Sequence, residues 1–218
     1  MRVNYNMALE IASHEAIIRQ AYKDSAGVWT WSVGLTSATG HNVTRYIDKP
    51  QSLRHCLAVY AWALNKYAKQ VEEAFAPTKL TEHQFAAALS FHWNTGAIKR
   101  ASWVKLFKQK RLVEAKKSFL SWNKPAAIIG RREKEAELFF SGKWSNDGGM
   151  TEYMRLTANH TPVWSSARRI NVEKDLALAF GAPEPPVRPV APDVEPAVPQ
   201  ASPVAATGFW AWLRSWWS

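Results

Sequence analysis

The stretch HEAIIRQAYKDSAGVWT, residues 14–30, sets Glu15 and Asp24 nine positions apart and Thr30 six further on. Its reading decides the fold of the front of the chain. Joined to the residues before it, it continues a helical pattern over about residues 4–21. Positions 8, 11, 15, 18 and 22 fall on one side of that helix and read Ala, Ile, Glu, Ile, Tyr. Glu15 then lies in an apolar stripe, where desolvation disfavours the charged form of a carboxyl, as a general acid requires at neutral pH. A plainer reading is a buried structural Glu paired with Arg19, one turn on. Asp24 adjoins the turn chemistry of KDSAG, where Asp is common for local reasons. The following VWTWSVGLT alternates as a strand: Val28, Thr30 and Ser32 face one way, Trp29, Trp31 and Val33 the other. The hydroxyls of Thr30 and Ser32 thus share a face that looks back to the end of the first helix. A carboxylic acid, a carboxylate and a hydroxyl able to hold water are the parts of an inverting glycosidase.

Working outward, the remaining pattern is mainly helical. Residues 51–76 form one long apolar-periodic helix closed by Pro77. Thr81 and Gln84 open the next as a capping box, and Gly96 ends it. Further helices are expected over 101–110, 111–122 and 131–141, punctuated by Pro125 and Gly130. After Trp144 the texture changes to turns and short strands, then one helix near 165–180. From Gly181 to Pro203 eight prolines mark a semi-extended linker, and the chain ends in GFWAWLRSWWS.

Composition narrows the class. A 47% hydrophobic content suits a globular core. Cys56 is the single cysteine, so no internal disulfide can form, and it reads as a small packing residue of a chain made in a reducing cytoplasm. No classical secretion signal and no spanning run of about twenty apolar residues is visible. The net charge of +10 points to an anionic partner. Lys and Arg are spread along the chain rather than gathered in a recognition stripe, so nucleic acid is not expected. HEAII begins like a zinc-protease helix, but Ile18 stands where the second histidine belongs. No metal and no cofactor is expected.

Glu, eight residues, Asp, five residues, Thr, set in AYKDSAGVWT, resembles the active-site signature of the phage-type lysozymes, glycoside hydrolase family 24. LTEHQFAAALSFHWNTGAI, LFKQKRLVEAKKSFLSWNK and GRREKEAELFFSGKW extend the similarity in the family's order, over about residues 7–144. The resemblance implies a mainly α, α+β fold of two lobes, with a small β-hairpin in the N-terminal lobe and a long inter-lobe helix. It implies Glu15 as the general acid, Asp24 as the carboxylate beside the attacking water and Thr30 as a holder of that water. Arg131 or Arg132 would orient the glutamate, while Asn94 and His92, with Ser32, would contact sugar. One departure stands out. After the threonine the family reads Ile-Gly-x-Gly-His-Thr, and here the chain reads Trp31, Ser32, Val33, Gly34, Leu35, Thr36. Any support from that histidine is absent or comes from His41.

The resulting expectation is a monomeric endolysin. A catalytic domain over 1–144 would cleave the β-1,4 bond between N-acetylmuramic acid and N-acetylglucosamine in peptidoglycan, and so lyse the host. It would be made in the host cytoplasm and act in the periplasm or wall after release. Residues 145–180 form an extension without an assigned task, 181–208 a linker and 209–218 a tail. In that tail Trp210, Trp212, Trp216 and Trp217 flank Arg214, a composition suited to an anionic membrane or lipopolysaccharide. A hydrophobic end that folds back or meets a partner protein is the other reading. Two rival functions remain: a lytic transglycosylase using Glu15 alone, and a non-catalytic wall-binding or virion protein.

Overall fold

A computed structural model describes residues 1–181; the Trp-rich tail and all but the first residue of the Pro-rich linker lie outside the described residues. Helix α1 spans Tyr5–Ser13, and Asn4 caps it by accepting a hydrogen bond from the Met7 amide at 3.0 Å. The helix stops there. The amides of His14 and Glu15 close it with short bonds to the Ile11 and Ala12 carbonyls, and the chain enters strand β1, Ala16–Lys23.

This corrects the helix expected through residue 21. A run such as AIIRQAYK satisfies both periods over so few residues, and what decides between them is partners distant in sequence. Strands β2, Trp29–Ser32, and β3, Leu35–Thr36, make an antiparallel hairpin on one side of β1. On its other side β4, Gly149–Tyr153, pairs with β1 in parallel, Ala16 opposite Thr151, and β5, Ala167–Asn171, completes the order β3-β2-β1-β4-β5. A β1 flanked by two strands hydrogen-bonds its backbone without any helix. The extension of unassigned task is therefore part of the first lobe's sheet.

Charge holds it there. The Glu152 carboxylate on β4 is buried between Arg19 of β1, at 2.5 Å, and Arg168 of β5, at 2.9 Å. Arg19 is thus taken by Glu152 and not by Glu15. Glu10 of α1, 1% exposed, accepts from the backbone and side chains of both Ser145 and Asn146, where the extension begins. Burial alone would raise its pKa. The contact with His14 at 3.6 Å and the hydrogen bonds from Ser145 and Asn146 outweigh that and lower it to about 2. A folded pKa below the ordinary 4.5 contributes stability above pH 4.5 that is lost as pH falls towards 2. Glu10→Ala is expected to unfold more easily by about 3 kcal/mol in urea at pH 7, with the difference shrinking below pH 4. An acid-independent difference would contradict this account.

Helix α2, Leu53–Phe75, runs 23 residues from the Ser52 cap and is the expected long connector between the sheet lobe and the helical lobe. Cys56 and Leu57 at its start are buried against the first lobe, and Val71 and Phe75 at its end belong to the second. Cys56 is a buried free thiol, as its setting in the sequence implies. The second lobe comprises α3, Glu82–Thr95, α4, Ser102–Lys108, α5, Leu112–Leu120, and α6, Ile129–Ser141. The Thr81–Gln84 capping box is formed, and Gly96 takes the left-handed conformation that ends α3. Its core is aromatic: Trp103 packs against Phe119 at 4.7 Å and Phe139 at 5.1 Å, with Phe75 and Phe91 alongside. Helix α7, Glu173–Ala179, lays Leu176 and Ala177 against α1 and α2.

Candidate active site

The two ends of β1 meet in one cleft. Glu15 immediately precedes the strand and Asp24 immediately follows it, and a register shift between Ile18 and Tyr22 bends the strand between them. Both acids line a cleft of about 390 Å³ between the lobes, with Ile18 and Tyr22 of β1 beside them. Asn94, Ile128 and Arg131 form the opposite wall.

Asp24 is held by the turn that the sequence signals. Its Oδ1 accepts from the amides of Ala26 at 2.9 Å and Val28 at 2.8 Å, while Gly27 supplies the left-handed turn residue. Its Oδ2 has no hydrogen-bond partner among the described residues. One oxygen is therefore fixed by the turn, and the other is buried without a protein partner among those residues. Burial and the negative charges of Asp24 and Glu15 push the neighbouring Tyr22 phenol up, so it stays protonated and can donate.

Glu15 is oriented from across the cleft. Arg131 donates Nη1 to its Oε1 at 2.6 Å, both side chains being nearly buried. The same guanidinium donates Nε to Glu135 at 2.8 Å and Nη2 to the carbonyl and hydroxyl of Ser90. Glu135 in turn pairs with Arg132 and accepts from Ser90 Oγ at 2.5 Å. Burial opposes charge on Arg131 and Glu135 alike. The two flanking carboxylates nevertheless raise the pKa of Arg131, and the two arginines lower that of Glu135. Of the two arginines of GRRE, Arg131 reaches the glutamate. Arg132 acts one step away: it donates Nη2 to Asn94 Oδ1 and packs 4.6 Å over Phe91. A guanidinium can only donate, so Arg132 claims the amide oxygen and leaves the Asn94 N–H groups for a ligand.

Three residues expected at the site are not on the cleft wall. Thr30 is fully buried, and its hydroxyl donates to the Val28 carbonyl at 3.2 Å. Ser32 is fully buried too, with its hydroxyl bonded to the Cys56 carbonyl of α2 at 3.0 Å. Strand β2 is covered on both faces, so its alternation separates two interiors rather than an interior from a cleft. His92 turns towards α2, where Nε2 meets Gln70 at 3.2 Å; burial, helped by Lys99, lowers its pKa to about 4, and it is neutral at pH 7. His41 does not substitute for the missing histidine, since it stacks on Trp31 and bonds Tyr46 at 3.0 Å. Ser32 stands where the resembled pattern has its first glycine and adopts a glycine-like φ of 56°. The hairpin thus keeps the glycine geometry without the glycine.

The residues missed from sequence are Tyr22 and a third wall made by the extension, Tyr153, Thr161, Pro162 and Trp164. Tyr22 could have been found from its place two residues before Asp24 on a strand. The extension could not, because its position depends on a parallel pairing 135 residues distant in the chain.

The phage lysozyme family model matches residues 12–135, more than half of the chain. No curated protein sequence matches. Among solved structures, the muramidase domain of SpmX from Asticaccaulis excentricus aligns with a TM-score of 0.54 at 22% identity, over 65% of this chain and 98% of that one. An endolysin from Escherichia coli O157:H7 phage FAHEc1 aligns with the same score at 18% identity, over 67% and 97%. A P22 lysozyme variant aligns likewise at 22% identity, over 65% and 99%. At these identities the structures establish a shared fold.

Proposed function

Since the chain belongs to the phage lysozyme family, we propose that it is an endolysin that hydrolyses the β-1,4 bond between N-acetylmuramic acid and N-acetylglucosamine. It is a glycoside hydrolase of the lysozyme type, with peptidoglycan as its substrate. The observation that carries the finer reading is the placement of Glu15 and Asp24 at the two ends of β1 on one cleft, with Arg131 clamping one glutamate oxygen. Glu15 gives a proton to the glycosidic oxygen as its bond to the muramic C1 breaks. Water adds to that carbon, and the Asp24 carboxylate accepts the proton the water releases. Arg131 positions Glu15, and the Asn94 amide donates to the sugar.

Among the described residues, no helix is long and apolar enough to cross a membrane. Release of the chain to the wall, host lysis, monomeric action and membrane attraction by the tail belong to the same reading. Hydrolysis and transglycosylation leave different ends. Digestion of purified peptidoglycan in heavy-oxygen water is expected to yield muropeptides with a labelled reducing muramic end by mass spectrometry. Unlabelled anhydro ends would overturn the assignment of Asp24 and favour intramolecular attack.

A further inference from the structure

The third wall of the cleft is built from residues beyond the family match, which ends at residue 135. Between β4 and β5 the chain forms a tight arm. Met154 and Ser166 are joined at 3.3 Å, Arg155 and Val163 at 3.0 Å, and Thr157 and Thr161 at 2.8 Å, all through backbone bonds. The arm is anchored at its tip to the hairpin that carries Asp24. The His160 carbonyl accepts from the Lys23 amide at 2.7 Å, its ring meets Trp29 edge-on at 5.2 Å, and its Nε2 contacts Asp48 at 3.0 Å. Such anchoring at tip and base fixes the arm in place before any ligand arrives.

What the arm presents is chemically specific. Trp164 is half exposed and meets Tyr153 edge-on at 5.1 Å, with the ring planes at 83°. Both line the cleft that holds Glu15 and Asp24, as does Thr161, whose hydroxyl bonds that of Thr157 at 2.7 Å. A lone exposed indole needs no explanation. An indole braced by a second aromatic, on a wall shared with two acids and flanked by a hydroxyl, is a platform with a polar edge. The apolar C–H face of a pyranose fits such a platform, and its hydroxyl and acetamido groups fit the polar edge.

We propose that Trp164 and Tyr153 form an added saccharide subsite. It would take an N-acetylated hexose of the glycan strand beyond the two sugars of the cleaved bond. This rests on the glycosidase reading above and adds to it a role for the extension: holding a longer stretch of strand, not performing the chemistry. The site would contribute to binding equally before and during the reaction, and so it should be visible in KM and not in kcat.

The test compares full-length wild type, Trp164→Ala, Trp164→Tyr and, as a remote control, Trp62→Ala on purified peptidoglycan. Trp62 is also exposed but does not line the cleft. Trp164→Ala is expected to raise KM about tenfold with kcat nearly unchanged, and Trp164→Tyr to recover most of the loss. In a Glu15→Gln background, calorimetry with the N-acetylglucosamine hexamer should show the same weakening, and the dimer should show none. Unchanged KM and hexamer affinity in Trp164→Ala would overturn the subsite while wild-type activity still upheld the glycosidase. Faster turnover in that variant would overturn it in favour of an arm that obstructs the cleft. If wild type itself left peptidoglycan intact, the glycosidase reading would fail and the subsite with it.

Discussion

Glu15→Gln is expected to slow the clearing of a peptidoglycan suspension by about a thousandfold while leaving the fold intact, because a positioned general acid contributes roughly 10²–10⁴ to such rates. The amide matches the carboxyl in shape, and its oxygen can still accept from Arg131, which lies 2.6 Å from the native carboxyl oxygen. What it lacks is a proton to give to the leaving oxygen. The variant should therefore still bind peptidoglycan in a pelleting assay and keep the far-UV circular dichroism of the folded wild type. That combination separates loss of chemistry from loss of structure. Clearing at the wild-type rate would remove Glu15 from the mechanism and leave the chain as a wall-binding protein on a lysozyme-like fold.

The largest effect on stability is expected at Glu135. This carboxylate, 1% exposed, is shared by Arg131, Arg132 and the Ser90 hydroxyl. Arg131 bridges Glu135 to Glu15, and Arg132 pairs with Glu135 from the other side. Glu135→Ala would leave two buried guanidinium groups without the carboxylate that both of them meet. Breaking a buried pair from one side costs about 3–5 kcal/mol, mostly through the charge left behind. Urea unfolding should lose that much stability, and activity should fall as well, because Arg131 would no longer be held against Glu15. Replacing Arg132 by Leu in the same chain should recover part of the stability, since it removes one uncompensated charge. A Glu135→Ala protein as stable as wild type would mean that the cluster is not formed as described.

These expectations rest on features that differ in how far local sequence shows them. The capping box at Thr81 and Gln84, the Gly96 stop and the long apolar helix before Pro77 depend on interactions within a few residues. Such features are readable because a helix satisfies its own backbone and needs only one apolar face. The turn that holds Asp24 is equally local, its carboxylate bonding amides two and four residues on. Glu15 was legible as a candidate, but for a partly mistaken reason. It does not sit on an apolar helix face; it sits where α1 has ended and β1 begins.

By itself, then, the sequence determined the helical lobe, the hairpin turn and the two candidate acids, since each is signalled by neighbours along the chain. Only the tertiary structure decided that residues 16–23 are a strand, that Thr30, Ser32 and His92 are buried off the cleft wall, and that residues 149–171 complete both the sheet and the cleft wall. A strand has no internal hydrogen bonds, so its existence and its facing are set by partners, here Thr151 and Glu152 on one side and Thr30 and Ser32 on the other. Those partners are chosen by the folded chain as a whole.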